Sequence, residues 1–133
     1  MKGPDSTILL IEDEADLRGL LSRTLEQLHY GVVEASNGEL GLQAARRLAG
    51  MLCLVVTEIN MPVMSGVEFA REFRPLQPRV PILFITGLDS RVTLPETTRL
   101  GGELLLKPFG PDLFLETVTR LLHESELPER SLA

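Results

Sequence analysis

Five short apolar runs alternate along the chain with longer stretches in which apolar residues recur at helical spacing. The runs are continuous and rich in leucine and β-branched residues, which is typical of strands covered on both faces. They occupy residues 7–11, 32–35, 51–56, 80–85 and 103–106. Strict alternation of strand and helix predicts an α/β domain, in which right-handed crossovers place a parallel sheet between two helical layers.

Caps and breakers delimit the first two predicted helices. Apolar residues recur at helical spacing over residues 17–28, with Asp16 as the candidate N-cap and Gly31 as the stop. Ser36 and Glu39 have the spacing of a capping box and predict the start of the second helix. These two helices flank the second predicted strand.

Glycine and proline mark the starts of later helices. Gly66 opens a third helix, a short fourth helix follows around residues 95–100, and Pro111 suits the first turn of the last helix. We expect the domain to span residues 1–124, followed by a flexible tail or the start of a linker at residues 125–133. The expected buried positions of the third and last helices are Val67, Phe69, Ala70, Phe73, Leu115, Val118, Leu121 and Leu122.

The residues that follow the strands carry most of the candidate chemistry. They are Glu12, Asp13, Glu14, Glu58, Thr86 and Lys107. In an open parallel sheet, function gathers beyond the carboxyl ends of the strands, where the loops converge. Crowded carboxylates are costly unless a cation or a lysine neutralises them, and hard oxygen ligands suit Mg²⁺ or Mn²⁺. The pattern indicates either a cation site or a solvated strand end.

The charge, cysteine content and apolar runs of the chain limit the kinds of partner and compartment that it fits. The chain has a formal net charge of −6, which disfavours non-specific binding to nucleic acid or anionic lipid. Its one cysteine, Cys53, excludes an internal disulfide framework. No apolar run approaches the ~20 residues of a membrane span, and the first residues lack the apolar stretch of a signal peptide. We therefore expect a cytoplasmic protein with no nucleic-acid or membrane partner.

Four motifs stand in order on this α/β pattern. They are the acidic pair Glu12–Asp13, the stretch "EINMPVMSG" that begins at Glu58, Thr86, and "KPF" that begins at Lys107. On these motifs, residues 7–122 resemble the receiver domain of two-component response regulators. The resemblance implies a flavodoxin-like, doubly wound sheet of five parallel strands in the order 2-1-3-4-5. It also implies a signalling module rather than an enzyme, with a histidine kinase or another signalling protein as its partner, and it is compatible with a weak homodimer.

The resemblance also assigns roles by position. In the family, an aspartate after the third strand accepts a phosphoryl group, and an acidic pair together with a main-chain carbonyl holds Mg²⁺. The residues at the acceptor site are then Glu58 as the acceptor position, with Thr86 and Lys107 as contacts of the phosphoryl group. The implied Mg²⁺ ligands are Glu12, Asp13, Glu58 and Asn60, the last through its carbonyl.

The acceptor position departs from the family pattern because Glu58 replaces the aspartate. The extra methylene moves the carboxylate by about 1 Å, and in-line attack is sensitive to displacements of that size. Glu58 can also reach Lys107, and it would carry about one negative charge instead of the −1.5 to −2 of a phosphoryl group. We predict that Glu58 is not phosphorylated. A structural ion pair with no signalling role is the alternative interpretation.

A second departure is Leu104, which stands three residues before Lys107 where many receivers have a tyrosine or phenylalanine. Leucine cannot perform the aromatic flip that accompanies switching. We expect Leu104 to pack in the core together with its neighbours Leu105 and Leu106 and with the last helix.

Three functions are compatible with these residues. The first is a receiver module that is not phosphorylated and acts through protein contacts. The second is a working phospho-acceptor, for example from a hybrid sensor kinase, in which Glu58 accepts slowly. The third is a flavin- or nucleotide-binding α/β domain, although the acidic stretch at residues 12–14 would repel a phosphate.

Overall fold

The computed structural model describes residues 6–87 and 94–125. Within these residues all five predicted strands and all five predicted helices are present, in the predicted order. The elements are β1 (Thr7–Ile11), α1 (Ala15–Glu26), β2 (Gly31–Ala35), α2 (Gly38–Arg47), β3 (Leu52–Glu58), α3 (Gly66–Leu76), β4 (Ile82–Thr86), α4 (Leu94–Arg99), β5 (Gly102–Leu106) and α5 (Pro111–Ser125).

The strands form one parallel sheet in the order β2-β1-β3-β4-β5, as predicted. The central strand β3 pairs with β1 on one side and with β4 on the other. Its last residue, Glu58, lies opposite Ile85 of β4. The carboxyl ends of the strands therefore meet at one edge of the sheet, which is the edge that carries the predicted site.

Two apolar clusters cover the two faces of the sheet. One joins alternate strand residues to α2 and α3, and the other joins the remaining strand residues to α1 and α5. In β1, for example, Leu9 and Ile11 belong to the first cluster, whereas Ile8 and Leu10 belong to the second. Because both faces are buried, the strands need continuous apolar sequence, and this is what the five runs provided.

The predicted ends of α1 were wrong. Glu14 occupies the N-cap position without a side-chain capping bond, and Asp16 lies in the first turn of the helix. At the other end the helix stops at Glu26, and the chain reverses through His29, which has a φ of 63°. Gly31, predicted as the stop, is instead the first residue of β2.

The predicted capping box of α2 was also wrong. Asn37 is the N-cap, and its side-chain oxygen accepts a hydrogen bond from the Leu40 N–H at 2.9 Å. The next residue has no room for a side chain, because a Cβ on Gly38 would lie 2.6 Å from the carbonyl oxygen of Met64. A complete capping box occurs at α3 instead, where Ser65 is the N-cap and Glu68 completes the box. The four expected core positions of α3 are buried.

The prediction for Leu104 was partly wrong, because neighbouring residues of a strand point to opposite faces. Leu104 packs against the cluster on the α2 and α3 face, whereas Leu105 packs against the cluster that contains α5. Leu106 is 46% exposed at the end of β5. Leu104 is thus partly buried on the face of the sheet opposite α5.

The expected buried positions of α5 also need one correction. Phe114 is buried in this helix, whereas Leu115, which was expected to be buried, is only half-buried.

The predicted tail at residues 125–133 falls almost wholly outside the described residues, since α5 continues to Ser125 and the description ends there. Among the helices of the described ranges, none combines the length and the apolar character needed to cross a membrane.

Candidate functional site

Strand ends bring the predicted site residues to the carboxyl edge of the sheet. Glu58 is the last residue of β3, and Thr86 is the last residue of β4. Glu12 directly follows β1, and its N–H donates to the Ala35 carbonyl at 3.0 Å. Lys107 directly follows β5, and its N–H donates to the Thr86 carbonyl at 2.7 Å. Main-chain hydrogen bonds thus hold Glu12 to the end of β2 and Lys107 to the end of β4.

Both carboxylate oxygens of Glu58 are engaged. Its Oε1 lies 2.5 Å from Nζ of Lys107. Its Oε2 accepts hydrogen bonds from the main-chain N–H groups of Ile59 at 2.7 Å and Asn60 at 3.0 Å. The residue is only 5% exposed. Glu58 is therefore held in one position by a cation on one oxygen and by two amides on the other.

Lys107 also contacts a second buried carboxylate, since its Nζ lies 3.4 Å from Oε1 of Glu12. Burial by itself would lower the pKa of Lys107, but the hydrogen bond to Glu58 and the charges of Glu12 and Glu58 outweigh it and raise the pKa above its ordinary value. The ammonium is consequently the compensating charge for both glutamates.

Glu12 is 1% exposed, and burial is the main reason why its pKa is raised to about 7. The hydrogen bond that its Oε2 accepts from the Glu14 N–H at 3.1 Å lowers the pKa, as does the charge of Lys107. The charge of Glu58 and a hydrogen bond with Asp13 raise the pKa further. Near neutral pH the carboxyl group of Glu12 is therefore only partly ionised.

The hydroxyl of Thr86 is tied to the loop after the acceptor position. Nδ2 of Asn60 donates to Oγ1 of Thr86 at 3.3 Å, and Thr86 is 1% exposed. Since the Asn60 N–H also donates to Glu58, a continuous set of hydrogen bonds joins Glu58, Asn60 and Thr86. All three residues were predicted site residues.

Two residues that support the site were missed from the sequence. Arg18 donates from one guanidinium nitrogen to the Glu12 carbonyl at 2.8 Å and pairs through Nε with Glu34 of β2 at 3.2 Å. Gly66 allows α3 to start against β3, because a Cβ there would lie 2.1 Å from the Glu58 carbonyl oxygen. The sequence signalled Gly66 only as a helix start, and it gave no sign that Arg18 faces β2.

The donor set suits a hard cation in its chemistry. The carboxylates of Glu12 and Asp13 lie at the same sheet edge as Asn60, and Asp13 is exposed to solvent. Hard oxygen ligands with water in the remaining positions are what Mg²⁺ requires. Across residues 6–87 and 94–125, however, no group of three or more His, Cys, Asp or Glu residues is arranged to hold a metal ion. In this arrangement the ammonium of Lys107 compensates the charge of Glu58.

Comparison with known proteins agrees with this geometry. A sequence model of the response regulator receiver domain matches residues 8–119. The sensor kinase CckA of Brucella abortus (strain 2308) is 32% identical over 124 residues, which are 91% of this chain but only 13% of that protein. The response regulator receiver protein CpdR of the same organism is 35% identical over 103 residues, covering 77% of this chain and 84% of that protein.

A solved structure of a related protein also matches this chain. The chemotaxis protein CheY4 of Vibrio cholerae superposes with a TM-score of 0.78 at 30% identity, and the match covers 87% of this chain and 98% of that one. These matches favour the receiver interpretation over a flavin- or nucleotide-binding domain. The chain belongs to the response regulator receiver domain family, the receiver modules of two-component signal transduction.

Proposed function

We propose that this chain is a receiver module whose acceptor position does not take up a phosphoryl group and whose signal passes through contacts with other proteins. The observation that supports this is the 2.5 Å contact between Oε1 of Glu58 and Nζ of Lys107. Lys107 corresponds in position to the lysine that binds a phosphoryl oxygen in the family. Here its ammonium is paired with the carboxylate of Glu58.

The chemistry of acceptance requires a carboxylate oxygen that is free to attack. In the transfer, that oxygen forms a bond to phosphorus while the bond from phosphorus to the donor's leaving oxygen breaks, so that acetyl phosphate would release acetate. Oε1 of Glu58 is paired with an ammonium, and Oε2 accepts two main-chain hydrogen bonds. The longer side chain also displaces the carboxylate by about 1 Å from the place of an aspartate, which is enough to disturb an in-line geometry.

We further propose that Mg²⁺ binds weakly through the carboxylates of Glu12 and Asp13 and the carbonyl of Asn60. Glu58 would join this set only when Lys107 releases it. The support is the chemistry of the donors, since oxygen ligands at one sheet edge suit a hard cation. When bound, the ion would supply positive charge beside the acceptor position. The chain's own residues hold the two glutamates apart from water and orient Thr86 through Asn60.

The proposed partners are histidine kinases and other signalling proteins, because one of the relatives is a sensor kinase and another is a response regulator receiver protein. Glu58 brings about one negative charge to the acceptor position, less than a phosphoryl group. The chain would therefore present one constant state to such partners.

Intact-mass measurement after incubation with acetyl phosphate and Mg²⁺ tests the proposal. We expect no added phosphoryl mass on the native chain. The Glu58→Asp variant should gain one, because it restores the shorter acceptor and frees Lys107, and Glu58→Gln serves as the control that has no acceptor. A phosphoryl mass on the native chain that maps to Glu58 would contradict the proposal and support the working-acceptor alternative.

A further inference from the structure

Two arginines of α3 reach across to the short helix α4. Arg71 forms an ion pair with Glu96. Arg74 donates from Nε to the main-chain carbonyl of Leu100, the residue that directly follows α4, at 2.9 Å. Both contacts lie outside the acceptor site, on the side of the molecule where α3 and α4 are neighbours.

The guanidinium of Arg74 also contacts the main chain of the loop between α3 and β4. Its second donor nitrogen lies within hydrogen-bond distance of three carbonyl oxygens, at 3.0 Å from Gln77, 3.1 Å from Pro78 and 2.8 Å from Val80. An arginine side chain suits this task because it presents several donors in a rigid planar fork. One side chain thereby joins the end of α3, the loop to β4 and the end of α4.

The turn after α4 lies beside this guanidinium. Gly101 has a φ of 73°, a conformation that favours glycine, and a Cβ there would lie 3.4 Å from a terminal nitrogen of Arg74. Its N–H donates to the Thr98 carbonyl at 2.9 Å and so closes the last turn of the helix. The glycine conformation thus shapes the turn, and the guanidinium of Arg74 lies beside it.

Helix α4 needs such support, because it has only six residues and helices of that length are not stable alone. Among the described side chains of this segment, Thr97 is fully buried, and Leu100, which follows the helix, is partly buried against the same cluster as Leu104. Arg71 and Arg74 add polar contacts at two successive turns of α3.

We propose that Arg71 and Arg74 form a clamp, the α3–α4 clamp, which sets the position of α4 independently of the acceptor site. The clamp makes α3 the element through which a protein partner would reposition α4. A partner that drew Arg71 away from Glu96 would loosen one half of the clamp while Glu58 and Lys107 stayed paired. The inference goes beyond the proposed function, since it does not depend on whether Glu58 accepts a phosphoryl group.

Hydrogen–deuterium exchange of the whole chain tests the clamp, with Arg74→Met as the main variant and Arg46→Met as its control. Arg46 is an exposed arginine in the last turn of α2. Loss of a hydrogen bond from a charged donor shifts a local equilibrium by about tenfold or more. We expect exchange in residues 94–101 to rise by about that factor in Arg74→Met, and exchange in β1 and β3 to change no more than in the control.

Unchanged exchange of residues 94–101 in Arg74→Met would overturn the proposal, and so would an equal rise throughout the sheet, because Arg74 would then only support the fold as a whole. If Arg74→Met does not fold, the exposed Arg71→Met and the conservative Arg74→Lys decide the matter. Each should raise exchange in residues 94–101 more than Arg46→Met does, and equality with the control would contradict the clamp. No phosphodonor is used, so this test and the phosphorylation test can fail separately.

Discussion

Replacing Lys107 by methionine should strongly destabilise the fold at neutral pH. The substitution keeps most of the aliphatic stem but removes the cation that contacts Glu58 and Glu12, which are 5% and 1% exposed. Breaking a buried ion pair by removing one partner costs about 3–5 kcal/mol, because the other charge stays buried. The Lys107 side chain is 26% exposed, so solvent screens part of the interaction. We therefore expect a loss of about 3 kcal/mol.

The loss should depend on pH through Glu12. Burial raises the folded-state pKa of Glu12 from its ordinary 4.5 to about 7, so the folded protein retains this proton longer than the unfolded chain does. Stability consequently falls as the pH rises from 4.5 to 7, and the penalty is complete above pH 7. Without Lys107 the penalty grows, so Lys107→Met should be more damaging at pH 8 than at pH 5. The raised pKa of Lys107 means that its own contribution is lost only above pH 10.5.

Urea denaturation of five chains at pH 5 and pH 8 measures the effect. The set consists of the native protein, Lys107→Met, Glu58→Gln and the double variant, with Arg46→Met as an exposed control. A loss of about 3 kcal/mol corresponds to a melting temperature lower by about 10 °C in a domain of this size. Because the two residues are in contact, the double variant should lose less than the sum of the single losses, with a coupling of about 1–3 kcal/mol.

The reasoning is refuted if Lys107→Met unfolds at the same urea concentration as the Arg46→Met control. It is also refuted if the losses of Lys107→Met and Glu58→Gln simply add. Either result would mean that water, and not Lys107, compensates the carboxylate of Glu58.

Two further predictions concern the loops at the same edge. The melting temperature of the native chain should rise with the Mg²⁺ concentration, and it should rise less in the Asp13→Ala variant. No shift of the melting temperature at tens of millimolar Mg²⁺, or an undiminished shift in the variant, would count against the proposed cation site. Val63 is 73% exposed and has a φ of 72°, a conformation that strains a β-branched residue. The Val63→Gly variant should therefore have a free energy of unfolding about 1 kcal/mol higher in urea denaturation. An equal or lower free energy of unfolding would show that the turn is not strained.

The strands and the site edge could be predicted because both follow from strong constraints. Strands buried on two faces require continuous apolar runs, and the parallel arrangement then places their carboxyl ends together. Glu58 and Lys107 each lie at such an end, so their contact followed from topology and side-chain length. The order of the strands came from the resemblance to the receiver family, which the four motifs carry.

Other features depended on details that a single sequence does not contain. Arg18 reaches Glu34 only because β2 lies beside β1, and a pattern of helical spacing does not show which side of a helix faces a given strand. The face of Leu104 depends on the register of β5, and a shift of one residue reverses it. The caps of α1 and α2 were missed because several polar residues near each helix start were equally plausible.

The pairing of Glu58 with Lys107 can be observed most directly on the lysine itself. The sequence contains two lysines, Lys2 and Lys107, so a chain labelled with ¹⁵N-lysine has only two side-chain ammonium groups, and Lys107→Arg identifies the second. We predict that the ammonium of Lys107 gives a cross-peak at pH 7 that solvent exchange does not erase, because a buried carboxylate holds it. The cross-peak should weaken or vanish in Glu58→Gln. Rapid exchange in the native protein, or an identical cross-peak in Glu58→Gln, would contradict the pairing.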